Sequence, residues 1–91
     1  AITEHQQTIG IIRKNLQRAS EELAKEKDTN RRQRLEDEVL MHQANIQAEE
    51  DLIESLKTGT IVHTRTAWEE REHQRFIDKI QKEVYLLNAE T

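Results

Sequence analysis

The sequence contains no cysteine and no proline. Without cysteine there is no disulfide and no thiolate-bound zinc, and the chain suits a reducing, intracellular and cytoplasmic setting. Without proline, and with glycine only at Gly10 and Gly59, the strongest helix breakers are nearly missing, which favours long uninterrupted helices. Aromatic residues are as scarce: Trp68, Phe76 and Tyr85. No apolar run approaches the roughly 20 residues that cross a membrane. No signal peptide is visible, and a start at Ala1 rather than Met fits a piece excised from a longer protein. A glycine-rich phosphate loop, a serine elbow and a cysteine nucleophile are all missing, and Ser20 and Ser55 fall on expected helices. The expectation is a non-enzymatic chain without a cofactor or a metal.

What remains is charge and spaced aliphatic residues. Charged residues make up 35% and hydrophobic residues 34% of the 91, against about a quarter and nearly half in ordinary globular domains. A thick core is therefore not expected. A thin core along helix seams needs only about two or three apolar positions in seven. Net charge is only −4 and the apolar residues are spaced rather than absent, which favours folding over disorder. The excess acid falls mainly on residues 30–57, and no stretch is broadly basic, so nucleic acid is not the expected partner.

The spacing predicts three helices in one domain spanning residues 1–91. The first covers residues 4–28, with Ile9, Ile12, Leu16, Ala19 and Leu23 stepping by three and four. Thr3 with Gln6 reads as its capping box, and Gly10 sits inside it at a small cost. The second covers residues 31–57, opened by Asn30 with Gln33. Its seam is Leu35, Val39, His42, Ile46, Glu49, Ile53 and Leu56, with Leu40, Met41, Ala44, Ala48 and Leu52 as a flanking stripe. Apolar residues this far round a helix imply more than one packing partner. Lys57 and Gly59 suit its C-terminal end. A β-branched connector follows, in which Ile61 and Val62 are expected to cover the end of the bundle. The third helix covers residues 67–89, capped by Thr66 with Glu69, with a seam of His73, Ile77, Ile80, Val84 and Leu87. Short loops then give an all-α antiparallel three-helix bundle with coiled-coil-type seams. The alternative is a helical hairpin or coiled coil that dimerises.

Several polar residues break these seams. Counting from the turns places His42 level with Leu16 and Ile77, and His73 level with Ile12 and Ile46. Glu70 and His73 give the Glu-x-x-His spacing of carboxylate metal bundles once only, and a metal site needs three or four converging ligands. The two histidines otherwise read as cross-bonded seam residues or as a pH-sensitive element. Glu49 is expected to pair with Arg13 or Arg71, or to reach outward. Arg31, Arg32 and Arg34 form a basic knot that suits a phosphate, weighed against pairing of Arg32 with Glu36 and Arg34 with Glu38 along the helix. The segment Trp68 to Ile77 resembles the first helix of a Myb/SANT repeat. That family needs two further aromatic-bearing helices, and the chain ends soon after Ile77, so no DNA-binding role is carried over.

The leading functional expectation is a helical protein–protein interaction or scaffolding module. Its binding residues would be Leu40, Ala44, Ala48 and Leu52 on the second helix and Trp68, Phe76 and Tyr85 on the third, Trp68 being the aromatic expected to be most exposed. By analogy with other small bundles, the partner classes are small GTPases, cytoskeletal proteins and trafficking machinery. The alternatives are an oligomerisation coiled coil that forms a homodimer, and a small helical chaperone or regulator that binds a client protein.

Overall fold

The computed structural model describes residues 2–90, and the side chains of residues 2–89. It contains three helices, α1 (Ile2–Lys25), α2 (Thr29–Thr58) and α3 (Ala67–Glu90), and no strand among the described residues. Helix α1 packs on α2, and α2 on α3, in an all-α three-helix bundle.

The helix ends follow from local chemistry. Asp28 leaves α1 in an extended conformation (φ −73°, ψ 125°) and caps α2, its carboxylate accepting the Arg31 N–H at 3.0 Å. The expected cap, Asn30, already lies within α2. Losing Asp28 to α2 ends α1 at Lys25, three residues short of expectation. The carbonyls of Leu23 and Glu26 are instead closed by the Arg32 guanidinium, at 3.1 and 2.8 Å. Thr3 lies inside α1, which starts at Ile2, so it does not cap that helix. Gly59 ends α2 in the left-handed conformation (φ 73°), its N–H donating to the Ser55 carbonyl at 2.9 Å. Thr66 caps α3 through its hydroxyl, which accepts the Glu69 N–H at 3.3 Å.

Helix α2 is the centre of the arrangement. The residues with buried side chains on the α1–α2 side are Ile9, Ala19 and Ile53, at 6, 2 and 9% exposure. Ile12, Leu16, Leu23, Leu35, Val39 and Ile46 are half-buried around them. Helix α3 meets α2 at Asp37, and the connector that leads into it is bonded to Asp51 and Ser55 of α2. These stand roughly half a turn round α2 from Val39, Ile46 and Ile53. Helices α1 and α3 therefore flank α2 on opposite sides, and among the described residues they do not touch.

The resulting layer measures 58 × 40 × 13 Å, with a radius of gyration of 17.8 Å, against about 12 Å for a compact domain of this length. The layer matching expected across all three helices does not occur, because α3 lies behind α2 rather than in the α1–α2 groove. His73 is exposed. His42 remains in the α1–α2 seam, where its Nε2 donates to Glu38 of its own helix at 3.2 Å. Gly10 faces open space, since a Cβ added there would meet nothing within 4 Å.

The connector between α2 and α3 is fixed by polar bonds. The Thr64 N–H and hydroxyl both donate to the Asp51 carboxylate, at 2.6 and 2.9 Å, and Gln47 donates to it at 2.9 Å. Ser55 links the Asp51 carbonyl to the Val62 N–H, at 2.8 and 2.9 Å. This anchoring turns Ile61 outward to 98% exposure. It does not cover the bundle end as its apolar character predicts; Val62 is half-buried.

Candidate interaction surface

Helix α3 is amphipathic, and its charged side is the one that meets α2. Arg71 reaches Asp37 at 2.7 Å, and Arg75 reaches the same carboxylate at 3.4 Å. Trp68 precedes them at helical spacing and is half-buried. Roughly opposite, by 3.6 residues per turn, run Ile77, Ile80, Val84 and Leu87. Ile77 is half-buried, and every side chain from Asp78 through Ala89 is exposed. Among them Leu87 is 64% and Tyr85 73% exposed, and Phe76, just before this stretch, is 60% exposed. Ile80, Val84 and Leu86 are exposed large apolar residues on the same segment. Concentrated exposed apolar surface on one element is the physical mark of a docking face, because isolated apolar residues are common on surfaces and runs of them are not.

The seven residues singled out from the sequence do not form one surface. Leu40 and Ala44 are half-buried on the side of α2 that faces α3, with Trp68 on the facing side of α3. Ala48 and Leu52 are exposed further along α2. Phe76 and Tyr85 stand in the open on α3. Trp68 is thus the least exposed of the three aromatics, because it shares a helix side with Arg71 and Arg75. Sequence reasoning named Ile80, Val84 and Leu87 as core; the structure leaves them outside it. Their spacing showed that they form a face, and nothing in it showed what the face meets.

The polar seam residues are paired. Glu49, in the α1–α2 seam, meets His5 of α1, whose Nδ1 donates to Glu49 Oε2 at 2.6 Å. Arg13 pairs with Glu50 at 3.4 Å, and Arg71 with Asp37, so neither takes the Glu49 partnership expected of it. Asp51 was missed entirely. It is 7% exposed, and its pKa lies below the usual 3.8. The Thr64 backbone N–H is the main cause and the Gln47 amide the next; burial opposes them, while the Thr64 hydroxyl and nearby His63 add to the lowering. The signal for it was a second three-and-four stripe, Asp37, Leu40, Ala44, Gln47, Asp51 and Ser55, which is too polar to register as a packing face.

At the α1–α2 turn a shallow cleft is lined by Glu22, Glu26, Arg31, Arg34 and Leu35. Arg32 caps α1 and does not pair with Glu36, and Glu38 is bonded to His42. With two carboxylates in its wall, this cleft is poorly suited to an anion. Among the described residues, no three histidine, cysteine, aspartate or glutamate side chains converge as metal ligands, and no helix is long and apolar enough to cross a membrane. Compared with family models, with curated proteins and with solved structures, the chain matches none.

Proposed function

We propose that this chain is a non-enzymatic helical interaction module of an intracellular scaffold, which docks a partner helix along the outer face of α3. One observation carries the reading: α3 spends its charged face on α2 and holds Phe76, Ile80, Val84 and Leu87 away from it, exposed. A helix laid along such a face buries anchors at three- and four-residue spacing, the general mode of helix-to-helix recognition. The α1–α2 hairpin serves as the platform that positions α3. Self-assembly through the same face is the second reading, favoured by the seam's coiled-coil spacing.

The test is site-specific photo-crosslinking in cells. A benzophenone amino acid replaces Phe76 in one variant and Arg18, on the outward side of α1, in another. The expected result is a discrete protein adduct from position 76 and none from position 18. No adduct at 76, or equal labelling at both positions, would overturn the reading.

A further inference from the structure

The start of α1 is thinly anchored. From Ile2 to Gly10 its apolar side chains are half-buried Ile2 and buried Ile9, and residues 3–8 are all polar. One side-chain bond crosses from this stretch to α2, His5 Nδ1 to Glu49 Oε2 at 2.6 Å, between side chains 28 and 26% exposed. Gly10 closes the stretch. Glycine is the weakest helix former after proline, and no close approach requires it here, because a Cβ would meet nothing within 4 Å. A polar segment pinned in its middle, with a weak helix former at its base, has the form of a strap.

The pin titrates near neutral pH, and the next tie does not. Arg13–Glu50, at 3.4 Å, keeps both charges across the neutral range. The charges around His5 are mostly negative. Glu49 faces it from α2, with Glu50 beside it taken by Arg13. Lys57 stands exposed about two turns further along α2. Glu4 adjoins His5 in the first turn of α1, where it offsets the positive helix end. Helix α3 does not touch α1 and brings no charge to the site. The register set by His5–Glu49 puts Ile2 roughly level with Ile53, whose neighbours Leu52 and Leu56 are already exposed. Detaching the strap therefore uncovers Ile53 and enlarges an apolar patch at that end of the hairpin.

We infer that Ile2–Gly10 is a pH-sensitive strap over the end of the α1–α2 hairpin, clamped by His5 on Glu49 and hinged at Gly10. Below the ordinary titration range of an imidazole, about pH 6.5, the bond joins opposite charges. Above that range it joins a neutral ring to a carboxylate and is weaker. The stabilisation that comes from charge is thus present in mild acid and is lost as pH rises. The strap closes in mild acid and loosens in mild alkali, while Arg13–Glu50 and the rest of the seam hold the hairpin together.

Amide hydrogen exchange of the whole chain tests this at about pH 5.5 and about pH 8, either side of the imidazole range, after correction for intrinsic rates. The readout is protection of the Gln6 to Ile9 amides relative to Ala19–Leu23. In the native chain it should fall several-fold between the lower pH and the higher. In His5→Gln and in Glu49→Gln the two values should agree, because neither variant can form the charged pair. Arg13→Gln should lower protection at both pH values and keep the step, and His42→Gln, altered at the other seam histidine, should keep it too. Gly10→Ala should raise protection of the strap at about pH 8, since alanine stiffens the helix at the hinge. Equal protection of the native strap at both pH values, or a step that survives in His5→Gln or Glu49→Gln, would overturn the clamp. Loss of the step in His42→Gln would move the sensor to that residue and overturn it as well. A Gly10→Ala strap as open as the native one at about pH 8 would overturn the hinge.

Discussion

The two faces of α2 hold their neighbours by different means. Toward α1 it presents Leu35, Val39, Ile46 and Ile53, with His42 and the His5–Glu49 pair as the polar breaks in the seam. Toward α3 and the connector it presents Asp37, Gln47, Asp51 and Ser55 beside half-buried Leu40 and Ala44, and ion pairs and hydrogen bonds predominate there. Apolar burial is non-directional and scales with area, so the first contact runs the length of both helices. Hydrogen bonds are directional and local, so the second contact fixes the start of α3 and leaves its far half unsupported. An apolar contact makes a platform, and a polar one makes a positioned arm. The two should respond to different perturbations.

The largest effect is expected where the buried apolar residues are fewest to lose. Ile53→Ala removes one of the three buried hydrophobic side chains among the described residues. Large-to-small changes of this kind cost about 2–5 kcal/mol, a large part of the roughly 5–15 kcal/mol that holds a typical domain. Thermal unfolding followed by circular dichroism should show the α1–α2 helicity lost at much lower temperature. A melting curve close to the native one would mean that the hairpin does not rely on its core.

The next effect separates the two contacts. Asp51→Asn puts an amide donor where Thr64 and Gln47 both donate, so the connector should come loose while the hairpin persists. Hydrogen exchange at the Val62 and Thr64 amides should quicken several-fold, and exchange within Ile9–Leu23 should not change. The same carboxylate gives a pH signature. Its folded pKa is lowered, so its contribution is fully present above the unfolded value near 3.8 and is lost as pH falls through the folded value below it. Exchange at Thr64 should therefore rise relative to the hairpin as pH drops below that point, after correction for intrinsic rates, and in Asp51→Asn this step should be absent. An identical acid response in the two proteins would shift the latch to another residue.

The same contrast governs what could be read from the sequence. Three helices and their order were legible, because three-and-four spacing and the near absence of breakers act locally along each helix. That α2 has two partners was legible in its wide apolar distribution. Two things were hidden. Asp28 rather than Asn30 starts α2, because both are good caps and the choice rests on where α1 lets go. The side of α2 that α3 takes was hidden more deeply, since it is set by Asp37, Asp51 and Ser55, which resemble any solvated polar residues until the partners Arg71, Thr64 and Val62 are placed beside them. Ile80, Val84 and Leu87 were legible as a face and illegible as an exposed one for the same reason.

The smallest effect tests the outer end of the polar contact. Asp37 receives both Arg71 and Arg75, at 2.7 and 3.4 Å, from side chains between 30 and 48% exposed. Pairs this open to water contribute about 0.2–1 kcal/mol each and are screened by salt, whose Debye length is about 8 Å at physiological strength. Asp37→Asn should therefore leave the melting of the hairpin unchanged and widen the distribution of distances between spin labels on Lys14 and Lys82. In the native chain, raising the salt to about 1 M, where the Debye length is about 3 Å, should widen it similarly, and in Asp37→Asn the added salt should do little more. Were the distribution as narrow in the variant as in the native chain, the direction of α3 would be set by the Asp51 latch alone, and the two arginines would be ordinary surface charges.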